Sequence, residues 1–211
     1  MQEEVLSKMK LPLLLKEIAR PDFPSPACVS SSAIIGAIAS ALIEMSCGCT
    51  LDEVSCSPVH PYMGKAKDKC KQIREQLLYL AQQDIEVFKD YLALNRPQQA
   101  RGISLKERLT QIGWKFTLVP LDVAHNSCLL LEEIEGLLSL AYEKIVCDLI
   151  IAQRLLSVNM DNMFLVIEEN IQQVHDQDQK LILARVGFLK EKRDRLNISI
   201  QAAWERRKLT N

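Results

Sequence analysis

The stretch from about Lys65 to Leu94 constrains this chain more than any other. Its apolar residues Ile73, Leu77, Leu80, Phe88 and Tyr91 recur at helical steps, the pattern of one face turned toward a core. A helix of that length is more than twice the usual one, so it needs partners of similar length to cover its apolar face. The rest of the sequence supplies them. No alternating strand pattern, glycine-rich phosphate loop or internal repeat interrupts the helical reading. A first helix is expected from about residue 3 to 19, stopped by Arg20-Pro21-Asp22, and a second from Ser30 to Cys47. Gly48 to Gly64, with Pro58 and Pro61, reads as a breaker-rich segment. After Asn95-Arg96-Pro97, Ser104 and Glu107 form a capping box for a helix that Pro120 kinks or breaks. Further helices are expected from Leu121 to about Tyr142, from Cys147 to about Ile171 and from Asp176 to about Lys208. The Cys147 helix is apolar on nearly every side and is expected at the centre. The fold class is therefore an all-α multi-helix bundle, one domain over residues 1–211, with apolar faces that leave room for a homodimer.

Charge and cysteine usage narrow the function. A formal net charge of -1 lacks the basic field of a general nucleic-acid binder. The late cluster Lys190, Lys192, Arg193, Arg195, Arg206, Arg207 and Lys208 is interleaved with Glu191, Asp194 and Glu205, which reads as a solvated helix face. Met1-Gln2-Glu3-Glu4 has neither the basic start nor the apolar core of a secretory signal. Ala27 to Met45 is diluted by serines, so no membrane span is expected there. Seven scattered cysteines then read as reduced thiols of a cytoplasmic protein.

Pro24-Ser25-Pro26-Ala27-Cys28-Val29-Ser30 runs into a helix carrying Ser32, Gly36 and Ser40 at four-residue spacing, beside Ala33, Ala37 and Ala41. The prolines force an extended entry. The small rows permit close approach, either of another helix or of a ligand at the helix start. Two carboxylates interrupt apolar faces. Asp84 sits seven residues from both Leu77 and Tyr91, and Asp148 stands among Ile145, Val146, Leu149, Ile150 and Ile151. A charge out of water needs a partner, so each is either an interhelical or helix-dipole contact or part of a polar pocket. Asn159 and Asn170 lie near the same helical row as Asp148 and extend the pocket reading. Cys47-Gly48-Cys49 with Cys56 and His60 lacks the spacing of a zinc site, and no metal is expected. His125 and His175 are isolated. Cys28 has only its helix-start position to recommend it as a nucleophile.

Four segments together resemble the C-terminal domain of formiminotransferase-cyclodeaminase and the bacterial methenyltetrahydrofolate cyclohydrolases. They are the Pro24–Ser30 loop, Asp84-Ile85-Glu86-Val87-Phe88, Val119-Pro120-Leu121-Asp122-Val123-Ala124, and Cys147-Asp148-Leu149 with Asn170-Ile171. The resemblance runs from about Pro24 to the last helix and implies a dimeric helical bundle acting on folate one-carbon units. It implies Asp148 and Asp84 as catalytic acids and Pro26, Ser30 and Asn170 as substrate-binding residues. Lys65, and beside it Lys67, are candidates to hold the glutamate tail. The tetrahydrofolate derivative is itself the substrate, so no separate cofactor is implied. Where the family has three successive glycines, this chain has Ala27, Cys28 and Val29; the family's serine and first asparagine are Cys147 and Val166.

Two functions are therefore expected, and they belong to different classes. One is an enzyme that hydrolyses the methenyl group or cyclises the formimino group of tetrahydrofolate. The other is a non-catalytic relative that binds another small ligand or a protein partner. A bundle without any pocket, its acids enclosed in salt bridges, is the structural alternative to both.

Overall fold

A computed structural model describes residues 5–94 and 105–210. Six α-helices follow one another: α1 Leu11–Ile18, α2 Cys28–Asp52, α3 His60–Leu94, α4 Leu105–Leu137, α5 Val146–Asn170 and α6 Asp176–Thr210. Short 3-10 turns sit before or between them, and no strand occurs among the described residues.

Paired side chains show that successive long helices run antiparallel. Glu44 of α2 accepts from Arg74 Nε of α3 at 2.6 Å, while Ser30 at the start of α2 meets Asp84 late in α3. Ser127 of α4 accepts from Asn159 of α5 at 2.9 Å, while Phe116, earlier in α4, meets Asn170, later in α5. Gln153 and Ser157 of α5 share Asn197 of α6. Helices α2 to α5 thus form an up-down-up-down four-helix bundle, with α6 laid along α4 and α5. Leu77, Leu130, Leu131, Ile134, Leu149, Leu156 and Met160 fill its interior.

Several expected boundaries move. The first helix is shorter: Pro12, with no N–H to give, sits in its first turn, so α1 opens at Leu11. The supposed breaker segment is largely helix. Here α2 continues through Gly48 to Asp52, a 3-10 turn spans Val54–Val59, and Pro61 lies in the first turn of α3. Buried Thr50 holds the end of α2, donating to the Ser46 carbonyl at 2.9 Å and accepting from the Tyr142 N–H at 3.0 Å. Pro120 does not split α4, which continues to Leu137. The Ser104–Glu107 capping box and the Asn95-Arg96-Pro97 stop fall outside the described residues.

Helix α4 packs against all four other long helices, and α5 leaves Ile151, Val158 and Leu165 exposed. Two segments, Cys28–Asp52 and Glu143–Gln173, are long and apolar enough to cross a membrane by length and composition. Here they pack against each other and against α4.

The small-residue rows of α2 serve helix packing. Ser32, Gly36 and Ser40 are buried, and Ser40 Oγ donates to the Cys70 carbonyl of α3 at 2.8 Å. A Cβ on Gly36 would stand 3.2 Å from both Leu77 and Asn159, so α3 and α5 would each have to give slightly. Ala41, by contrast, faces out.

Candidate functional site

Among the described residues, one end of the bundle holds a cavity. Where α2 begins, α3 ends, α4 begins and α5 ends, the helices surround a half-open cavity of about 550 Å³. Its walls are mostly apolar. Phe23, Phe88, Tyr91 and Phe116 form a connected aromatic cluster, with centroids 5.3 Å apart for Phe23–Phe88 and 5.6 Å for Tyr91–Phe116. Phe88 and Tyr91 continue the core stripe of α3, which is why the sequence reads them as core. At this level of the bundle the stripe faces the cavity instead.

Helix α2 reaches the cavity without a cap of its own, because Ala27 at its N-cap has no side chain that can accept. Asp84 of α3 supplies the missing acceptor. Its Oδ2 accepts from the Ser30 N–H at 3.1 Å and from Ser30 Oγ at 2.6 Å, leaving Oδ1 for a ligand. Burial pushes the Asp84 carboxyl above the ordinary aspartate range, and the two Ser30 hydrogen bonds oppose that shift without cancelling it. The result is an acid with a raised pKa beside the positive end of a helix. The charged residues on the described wall, Asp84 and Glu169, are both acids.

Asn170 stands opposite, on the last turn of α5, and its Nδ2 donates to the Phe116 carbonyl at 3.1 Å. Gly113 lets α4 come this close: a Cβ there would lie 2.7 Å from the backbone oxygen of Gln173, a neighbour on the cavity wall. Cys28 also borders the cavity. Partial burial, and after it the Asp84 charge, raise its thiol pKa, which is the opposite of what an activated nucleophile needs.

The structure divides the residues singled out from the sequence between two ends. Asp84, Ser30 and Asn170 meet at the cavity, and Pro26 is buried in the loop between the wall residues Ser25 and Ala27. Asp148 and Lys65 do not join them. Asp148 opens α5 while Asn170 closes it, a separation of about 33 Å at 1.5 Å per residue. Lys65 is exposed near the start of α3, about 28 Å along the helix from Asp84. Asn159 is buried midway, donating to Ser127, and its Oδ1 has no partner.

Sequence reading missed Phe23, Phe116 and Glu169 as wall residues. For Phe116 a signal existed, its place four residues before a helix-internal proline. The positions where this chain departs from the family pattern also gather here: Ala27, Cys28, Val29 and Val166 all line the cavity, and Cys147 alone lies at the far end. Among the described residues no cluster of His, Cys, Asp or Glu is arranged to hold a metal ion. Burial raises the Cys47 thiol to about 11, further from the thiolate that a metal would require.

An antiparallel helical bundle whose open end presents a capped acid and an amide defines a class by shape, and two comparisons place it. The sequence profile of the formiminotransferase-cyclodeaminase family matches residues 12–185. The chain belongs to that family. In structure it is similar to formiminotetrahydrofolate cyclodeaminase from Thermotoga maritima, with a TM-score of 0.83 at 20% identity, covering 95% of this chain and 98% of that one. No curated protein matches the chain.

Proposed function

We propose that the chain binds a tetrahydrofolate derivative in the cavity and acts on its methenyl or formimino group, as a cyclohydrolase or a cyclodeaminase. The observation that carries this reading is Asp84, a carboxyl with a raised pKa fixed at the start of α2 inside an aromatic cavity. Both one-carbon groups are flat, amidine-like and cationic when reactive. Aromatic walls suit the flat ring system, and an acidic wall suits the cation. In the hydrolytic case, water adds to the methenyl carbon and gives its proton to Asp84. The proton then passes to the departing nitrogen as the C–N bond opens. In the cyclising case, the same carboxyl handles the proton that leaves with ammonia. Asp84 holds this role rather than Asp148, because Asp148 lies at the other end of α5.

The experiment is calorimetry with tetrahydrofolate and 5-formyltetrahydrofolate, on the wild type and on Asp84→Asn. Micromolar binding that weakens at least tenfold in the variant supports the reading. No binding by the wild type would move the protein to the non-catalytic class.

For the homodimer, the exposed row Ile151, Val158 and Leu165 on α5 is the supporting feature. Two copies of α5 crossing antiparallel at Val158 set Ile151 against Leu165, a self-complementary arrangement. Sedimentation of Val158→Asp as a monomer, against a dimeric wild type, tests that contact.

A further inference from the structure

We infer that Pro120 is a positioning residue for the cavity, acting through Phe116 and Asn170. Proline has no N–H, and its ring crowds the carbonyl four residues earlier. In α4 that carbonyl belongs to Phe116, so it has no α-helical donor from position 120. Asn170 supplies one across the helix interface, with Nδ2 3.1 Å from the Phe116 oxygen. This bond decides which way the amide points. With its nitrogen committed to α4, Asn170 offers Oδ1 as an acceptor at the cavity wall, opposite the free oxygen of Asp84. The site therefore reads an N–H or O–H donor on its ligand at the Asn170 position. A proline usually regarded as a helix defect here orients a side chain on a different helix.

The proposal rests on the ligand reading only for its binding arm; its first test needs no ligand. In ¹⁵N-labelled protein, the Asn170 side-chain amide is expected to show one hydrogen-bonded proton, shifted from free-asparagine values and slow to exchange. Pro120→Ala returns an N–H to the helix, and that N–H competes for the Phe116 carbonyl. The Asn170 signals should then move to free values, while the thermal midpoint holds or rises because a helix-internal proline has been removed. Folate affinity should fall about five- to tenfold, the worth of one buried hydrogen bond. In the Asn170→Ala background, Pro120→Ala should cost nothing further. A rescue adds a check: Asn170→Asp cannot donate to Phe116 and should lower the midpoint, and adding Pro120→Ala should restore part of it. Unchanged Asn170 signals in Pro120→Ala, or an equal affinity loss with and without Asn170, would overturn the proposal. Failure of the wild type to bind folates would refute the ligand reading and leave the amide signature to decide this one.

Discussion

The two ends of the bundle are built from the same four helices and differ in what their backbones do. At the closed end, Thr50 accepts from the Tyr142 N–H, and Arg207 of α6 donates to the carbonyls of Leu138 and Ala141 just past α4. Tyr62 presses against Gly136, where any Cβ would collide with its hydroxyl. These three backbone groups find their partners within the fold. At the open end, the start of α2 relies on one carboxylate from another helix, and a carbonyl of α4 relies on one amide from α5. Each of those tertiary caps occupies one polar atom of its residue and leaves another for a ligand. Caps at both ends come from distant residues, but one that leaves a polar atom facing a cavity can serve stability and binding together, whereas one enclosed in the fold serves stability alone.

Substitutions at each end can break or sharpen this contrast. The largest effect is expected from replacing Ala27, Cys28 and Val29 together by glycine. Loss of helix propensity and of the buried Val29 side chain should lower stability by about 3–5 kcal/mol, read by urea unfolding. The widened cavity should at the same time bind folates more tightly; weaker binding would show that these side chains form ligand contacts. Gly113→Ala comes next, at about 2–3 kcal/mol, because a backbone oxygen stands in the way and cannot yield cheaply. It should also reduce ligand affinity, since the displaced turn carries Asn170 and Gln173. Thr50→Val is the control at the closed end. It strands the Tyr142 N–H for about 1–2 kcal/mol and should leave affinity unchanged. An affinity loss in Thr50→Val would erase the distinction between the ends.

The smallest effect is a pH dependence. The folded-state pKa of Asp84 is raised, so the folded protein holds that proton more tightly than the unfolded chain does. Its contribution to stability is therefore present at low pH and declines as pH rises from the ordinary aspartate pKa through the raised one. Asp84→Asn should flatten the stability profile across that window. Binding of a cationic ligand runs the other way, strengthening as Asp84 ionises; parallel slopes would remove the carboxylate from the binding reaction.

Much of this was legible in the sequence. Long 3.6-residue periodicity gave the helical class, and Asp84 announced itself as a charge in an apolar stripe. The family resemblance picked out Ser30, Asn170 and the loop between Pro24 and Ser30. The split between ends was not legible, because periodicity shows which face of a helix is buried but not where along its length a partner stops. That is why Phe88 and Tyr91 read as core and Asp148 read as a companion of Asn170. The stretch from Gly48 to Gly64 misled for a local reason: prolines and glycines that break isolated helices are tolerated in first turns and where neighbouring helices supply contacts. Pro120 reads as a kink or a break, yet α4 runs through it, and its effect on the Phe116 carbonyl needs the neighbouring helix to be seen.

The cysteines supply a native reporter. Cys47 and Cys70 are sealed in the core, with the Cys47 thiol raised to about 11, so alkylating reagents will pass them by in the folded protein. Cys28 stands at the cavity mouth, exposed but slow. Mass spectrometry of its labelling at alkaline pH follows cavity occupancy without any engineered probe. A ligand that fills the space between Phe23 and Asn170 shields that sulfur, and one bound elsewhere does not.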